Sequence, residues 1–254
     1  MTSQKIALVT GGNRGLGRSE TLALAADGTD VILTYRSHED EAKAVVAEVE
    51  ALGATAVALR LDTAAPDTFP AFLATLRTTL SETWSRDSID VLVNNAGNAA
   101  WTPLGEIGID DLRAQFDVHV VGVVLLTQAV VPHLVDGGRI INTSTGLARF
   151  TGQFGYSVYA AAKGAVEVWT RYLAKELGPR RITVNAVAPG ATATDFGGGA
   201  MRDDEHVRGY LASVTAMGHA GEPDDIGRAV AAIASDRMSW VTGQRIEASG
   251  GMLL

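Results

Sequence analysis

Six short apolar runs are separated by longer stretches with helical periodicity, and this alternation restricts the chain more than any other feature. The runs are Lys5 to Thr10, Asp30 to Tyr35, Thr55 to Leu61, Ile89 to Val93, Arg139 to Thr143 and Ile182 to Val187. They are continuous rather than alternating in polarity, as strands covered on both faces require. His38 to Leu52 shows the helical spacing, with Ala42, Val45, Val46 and Val49 on one side and Glu and Lys on the other. Strand alternating with helix gives a parallel sheet with right-handed crossovers. A chain of 254 residues, 46% hydrophobic, fits one α/β domain of three layers built on a doubly wound parallel sheet. No internal repeat, linker or low-complexity tail divides it.

Composition removes several function classes. A net charge of −8 lacks the basic field that nucleic acid or an anionic membrane would need, so neither is an expected partner. The absence of cysteine removes disulfides, thiolate catalysis and cysteine-ligated metals, and no metal is expected. The opening apolar run is too short for a signal peptide or membrane span, which predicts a soluble cytoplasmic protein. The helix around Asp111 to Val131 is apolar nearly all round. A helix on one face of a sheet should keep a polar outer stripe, so its absence predicts a homo-oligomer, a dimer or tetramer. Gly197-Gly198-Gly199 reads as a mobile loop late in the chain, either a substrate lid or simply a turn.

The turn after the first run, Thr10-Gly11-Gly12-Asn13-Arg14-Gly15-Leu16-Gly17, opens a helix. Glycines there let the backbone approach a pyrophosphate, whose charge sits on free N–H groups of the helix N-terminus. Gly12 to Ser19 also resembles a P-loop, but Arg18 stands where that motif needs lysine, and Ile89 to Val93 ends in Asn94-Asn95 rather than a metal-holding aspartate. A triphosphatase is therefore rejected. After the second strand, where an NAD site places an acid for the ribose 2′-hydroxyl, this chain reads Thr34-Tyr35-Arg36-Ser37. Arg36 attracts a 2′-phosphate, Ser37 adds a hydrogen bond, and Arg14 offers a second cation. The predicted cofactor is NADP(H).

Tyr159 and Lys163 lie four apart in a predicted helix, on one face. A phenol is a weak acid at neutral pH; a nearby ammonium lowers its pKa toward the range of a general acid/base. The pair follows the fifth strand, whose end carries Asn142-Thr143-Ser144-Thr145.

Together, Thr10 to Gly17, Asn94-Asn95-Ala96-Gly97, Thr145, Tyr159-x-x-x-Lys163, Pro189-Gly190 and Gly243-Gln244…Gly250-Gly251 resemble the short-chain dehydrogenase/reductase family over essentially the whole chain. The likeness is to its single-domain, Rossmann-type members of the 3-oxoacyl-carrier-protein-reductase kind. It implies that Tyr159 exchanges the proton, that Lys163 holds the nicotinamide ribose and lowers the tyrosine's pKa, and that Thr145 steadies a substrate carbonyl. It further implies that Asp62, with Thr63, meets the adenine. Asn94, Ala96 and Gly97 line the adenosine side. Pro189, Gly190, Thr192 and Thr194 hold the pyrophosphate and carboxamide.

Two positions depart from the family pattern. Thr145 replaces a serine, with Ser144 as a neighbouring understudy, and the stretch from Thr145 to Tyr159 is one residue longer than usual. His119 replaces an asparagine that supports a proton-relaying water chain; a histidine able to titrate near neutrality either serves that relay or merely fills space.

The same likeness places the substrate, a ketone or secondary alcohol, among Trp101, Arg149, Phe150, Phe154, Tyr156 and a lid around residues 191–217. Arg149, Arg202, His206 and Arg208 are candidate partners for an anionic substrate. The expected activity is hydride transfer between nicotinamide and a carbonyl or alcohol carbon. The alternatives are an NADPH-binding sensor without turnover, which the two departures favour, and a dehydratase or epimerase on the same scaffold.

Overall fold

Alternate residues of a strand point to opposite faces of a sheet, and here both faces are buried. In β1 (Ile6–Val9), Ala7 and Val9 enter one core and Ile6 and Leu8 the other. The computed structural model describes residues 4–152 and 154–254. β2 (Asp30–Tyr35), β3 (Ala56–Arg60), β4 (Ile89–Asn94), β5 (Leu134–Thr143), β6 (Thr183–Pro189) and β7 (Arg245–Ala248) complete one sheet. All pairings are parallel, in the order β3-β2-β1-β4-β5-β6-β7.

The six expected strands are present. β5 begins five residues earlier than its apolar run suggests, and a register irregularity lies opposite, between Ile89 and Val91. β7 is additional. Its sequence, Arg-Ile-Glu-Ala, carries two charges and is only half buried at the sheet edge, so no apolar run marks it.

Helices cover both faces. α1 (Gly15–Ala26), α2 (Glu39–Ala51) and α9 (Pro223–Ala234) build one core with Leu24, Val45, Val49, Ile226 and Val230. α3 (Phe69–Trp84), α5 (Gly122–Val130) and α6 (Ser157–Leu177) build the other with Phe72, Leu76, Leu126, Val130 and Leu173. The expected doubly wound, three-layer domain is therefore the observed one. β1 is flanked by β2 and β4, whose connections run in opposite directions. A crevice opens at such a switch point, beyond the carboxyl ends of the strands.

The long apolar helix is three segments: α4 (Ile109–Phe116), a π-helical turn over Asp117–Val121, and α5. By length and composition alone, Ile109–His133 is apolar enough to cross a membrane. Its inner residues Leu126 and Val130 are instead buried against the sheet, while Leu112, Val121 and Leu125 stay partly exposed outside. The glycine-dense patch forms a 3-10 turn, Phe196–Gly198, leading into α7 (Ala200–Asp203) and α8 (Glu205–Ser213).

Candidate active site

A cleft of about 1080 Å³ runs along the carboxyl ends of the strands. Its first wall is the glycine turn. α1 starts with no side-chain cap and no acid in its first turn, so its N–H groups and dipole face the cleft free for an anion. A Cβ on Gly17 would stand 2.1 Å from the Gly11 carbonyl oxygen. Only glycine lets the helix start this close to β1. Asn95 ties the turn to β4: its Nδ2 donates to the carbonyls of Thr10 (2.9 Å) and Gly11 (3.3 Å).

Gly11, Asn13, Arg14, Gly15, Leu16 and Gly17 all line the cleft, as do Arg36, Ser37, Asp62, Thr63, Ala96, Gly97, Pro189, Gly190, Thr192 and Thr194. Arg14 and Arg36 are exposed at its rim, and no ion pair engages either among the described residues. Ser37 stands beside them, its Oγ 2.9 Å from His38 Nδ1. His38 lines the same rim. It is a candidate phosphate contact that sequence reading missed, because its left-handed backbone (φ 62°) turns it back toward the cleft. Arg18, the obstacle to the P-loop reading, pairs with Glu48 outside the cleft.

Two expected cofactor contacts are not in the cleft. Tyr35 faces a separate hollow with Glu39 and Lys43; it is one residue out of phase with Thr34, whose Oγ1 accepts from Gly11 N. Asn94 is still within β4 and points into the sheet interior. Its Nδ2 donates to Thr127 Oγ1 and Asn142 Oδ1, both at 2.9 Å, and Asn142 donates onward to Thr170 Oγ1. Asn94 therefore braces the strand ends, and Asn95 takes the lining position.

The catalytic candidates converge on the cleft floor. Tyr159, Lys163, Thr145 and His119 all line it and all are buried. α6 positions the first two: Tyr159, Ala162, Lys163 and Val166 form its inward stripe. Lys163 Nζ lies 6.0 Å from the Tyr159 ring centre and donates to the Thr143 carbonyl at 2.6 Å. Thr145 sits at the start of a 3-10 turn, where its Oγ1 accepts from Leu147 N at 3.3 Å. Thr145 and Tyr159 both face the cleft floor. Ser144 is no substitute for it, since its hydroxyl is held by Glu167.

Burial sets the protonation states. It pushes the Tyr159 phenol up to about 12, with Thr145 pulling the other way. Desolvation of the phenolate is the larger of these two effects. The same burial pulls Lys163 down to about 8, opposed by the carboxylate of Glu20. His119 is pushed down to about 3 by burial and by Lys163, so its ring is neutral at neutral pH rather than titrating there. Its Nε2 bonds the Asn98 carbonyl at 2.7 Å, and its ring meets the Tyr159 ring edge-on at 5.2 Å.

Of the residues expected around the substrate, Trp101, Phe150, Tyr156 and His206 line the cleft; Arg149, Phe154, Arg202 and Arg208 do not. Phe154 instead packs edge-on against Trp101. Arg149 is drawn off to Glu247, with N···O distances of 2.6 and 2.8 Å.

A tyrosine, a threonine hydroxyl and a buried lysine share a floor with an uncapped glycine-turn helix. Residues 11–253 match the family model described as enoyl-(acyl carrier protein) reductase. The chain belongs to the short-chain dehydrogenase/reductase family. It is 38% identical over 257 residues to a 3-oxoacyl-[acyl-carrier-protein] reductase of Synechocystis, covering 100% of this chain and 98% of that one. Among solved structures it resembles LugOII, a promiscuous reductase that carries out keto-reduction at C1 during lugdunomycin biosynthesis (TM-score 0.93, 37% identity, 99% and 98% covered). It also resembles the angucycline C-6 ketoreductase LanV with bound NADP (TM-score 0.92, 34% identity, 98% and 95% covered). Membership of this oxidoreductase family accounts for the sheet order, the glycine turn and the tyrosine–lysine pair together.

Proposed function

We propose that this protein is an NADP(H)-dependent carbonyl reductase, with Tyr159 as the proton donor. The observation that carries this reading is the convergence of Tyr159, Thr145 and Lys163 on the floor of the cleft whose far rim bears Arg14 and Arg36. The uncapped start of α1 and the close approach of Gly17 to Gly11 suit a dinucleotide pyrophosphate. Two unpaired arginines with Ser37 and His38 suit a 2′-phosphate, and NADP bound to LanV supports the same choice. When bound, the nicotinamide supplies the hydride.

The chain's own groups do the rest. Thr145 donates a hydrogen bond to the carbonyl oxygen and orients it beside Tyr159. Tyr159, a neutral phenol at neutral pH, gives its proton to that oxygen as negative charge develops there. The Lys163 ammonium, close to the phenol, eases its ionisation at that moment and orients the ribose. His119 is a positioning residue: neutral and anchored to the Asn98 carbonyl, it holds the Tyr159 ring at its edge. The relatives named as ketoreductases support the direction toward alcohol.

We also propose a homo-oligomer. Val121, Leu125, Val168 and Tyr172 leave an apolar outer face on the α5–α6 side, and a second copy of that face is its self-complementary cover.

A panel of ketones assayed with NADPH and NADH in parallel tests the cofactor and reaction together. The wild-type protein should oxidise NADPH in preference to NADH, and Arg36→Asp should weaken NADPH far more than NADH. An unchanged cofactor preference in Arg36→Asp would remove the 2′-phosphate assignment. NADPH binding with no turnover across the panel would favour a sensor.

A further inference from the structure

The substrate end of the cleft has a composition of its own. Trp101, Leu147, Phe150, Phe196, Met201 and Leu211 line it, drawn from four separate parts of the chain. Phe196 lies against Tyr159, ring centres 5.9 Å apart, so an aromatic surface begins at the proton donor itself. Trp101 rests on Gly155, where a Cβ would stand 2.3 Å from its indole nitrogen; the backbone there (φ 90°) is open only to glycine. Thr102 N donates to the Gly155 carbonyl at 2.7 Å and locks that contact. Trp101 is nonetheless 50% exposed and Phe196 37%. These rings are held in place yet left uncovered, which costs hydrophobic free energy until a ligand covers them.

The charges around this end are already spent. Arg149 is clamped to Glu247 and to the Met252 carbonyl. Arg202 is held by Asp195 and Asp203, and Arg208 by Glu222. Besides the tyrosines and the floor residues His119 and Lys163, the ionisable side chains in the lining here are Asp195, paired with Arg202, and His206. An acyl thioester on a phosphopantetheine arm brings an anionic phosphate, and no arginine of this rim is free to receive it. Arg149, Arg202 and Arg208 lie outside the cleft lining, and an anionic substrate would have to displace their carboxylate partners.

Resting on the carbonyl-reductase reading of this site, we propose that the substrate is an uncharged, planar, fused-ring aromatic ketone. Its rings cover Trp101, Phe150 and Phe196, and its carbonyl reaches Thr145 and Tyr159. A rigid polycycle matches aromatic walls by offset and edge-on packing and loses little conformational freedom on binding. A flexible acyl chain gains less from the same walls.

The test compares kcat/KM with NADPH for 1-tetralone, a three-ring tetrahydrophenanthrenone and acetoacetyl-CoA. The tetrahydrophenanthrenone should exceed acetoacetyl-CoA by at least about tenfold, a discrimination worth about 1.4 kcal/mol, and should exceed 1-tetralone. Trp101→Ala and Phe196→Ala should raise KM more for three rings than for two. In parallel, calorimetric titration of the tetrahydrophenanthrenone into the Tyr159→Phe protein measures binding without turnover. Acetoacetyl-CoA matching or beating the fused-ring ketones, or no calorimetric binding, overturns the proposal while leaving carbonyl reduction intact. Calorimetric binding of the fused-ring ketone with no turnover of any ketone by wild type overturns the carbonyl-reductase reading but supports the binding surface.

Discussion

Glu20 shows how one side chain ties stability to pH. It lies on α1, fully buried, and neither carboxyl oxygen has a hydrogen-bond partner among the described residues. Burial raises it from 4.5 to about 8, with Lys163 pulling the other way. Its folded value lies above its unfolded one. Between those values the folded protein keeps a proton that the unfolded chain has lost. Its contribution is therefore complete below about 4.5 and drains away as pH rises through about 8. Glu20→Gln has no proton to lose. The variant should melt at a higher temperature than wild type at pH 8.5, with the gap closing toward pH 5. A wild-type melting temperature that stays level over this range would show that Glu20 is not desolvated as described. The Tyr159 phenol obeys the same rule, and spacing in the sequence does not show it. A spacing of four places tyrosine and lysine together, but the desolvation that dominates the phenol comes from residues distant in sequence.

At the scale of elements, the braced strand ends position the site. Asn94 on β4 and Asn142 on β5 form a buried polar ladder that reaches Thr127 on α5 and Thr170 on α6. Asn94→Ala strands buried groups on both neighbours, and each unmet group costs about 1–3 kcal/mol. Urea denaturation should show a loss of that order with an unchanged m-value. A loss below about 0.5 kcal/mol would mean that water replaces the amide. Most strands were legible because buried parallel strands must be continuously apolar. β7 was not, because Arg245 and Glu247 use their charges at the edge in pairs with Glu167 and Arg149. Tyr35 and Asn94 were misplaced by a single residue each. Motif order gives the neighbourhood of a cleft, but side-chain direction depends on where each strand stops, and one residue reverses it. His38 escaped notice for a related reason: nothing in its identity announces a left-handed turn.

At the scale of the whole molecule, two regions remain to be covered: the aromatic end of the cleft and the outer face of α5 and α6. Leu125→Asp puts a charge in the centre of the second. The variant should elute as a monomer by light scattering, with its circular dichroism unchanged, and wild type as an oligomer. Equal masses for the two proteins would place the interface elsewhere. The cleft itself joins an anion-binding turn, a cationic rim and a buried phenol into one continuous surface, and its residues come from β1 through to the C-terminal tail. That continuity suits the proposed hydride and proton transfer. The decisive measurement is single-turnover reduction of a ketone by Tyr159→Phe saturated with NADPH, with NADPH affinity measured on the same protein. Loss of the phenolic proton should slow reduction by roughly 10²–10⁴-fold while affinity holds. Reduction at the wild-type rate would show that Tyr159 does not supply the proton.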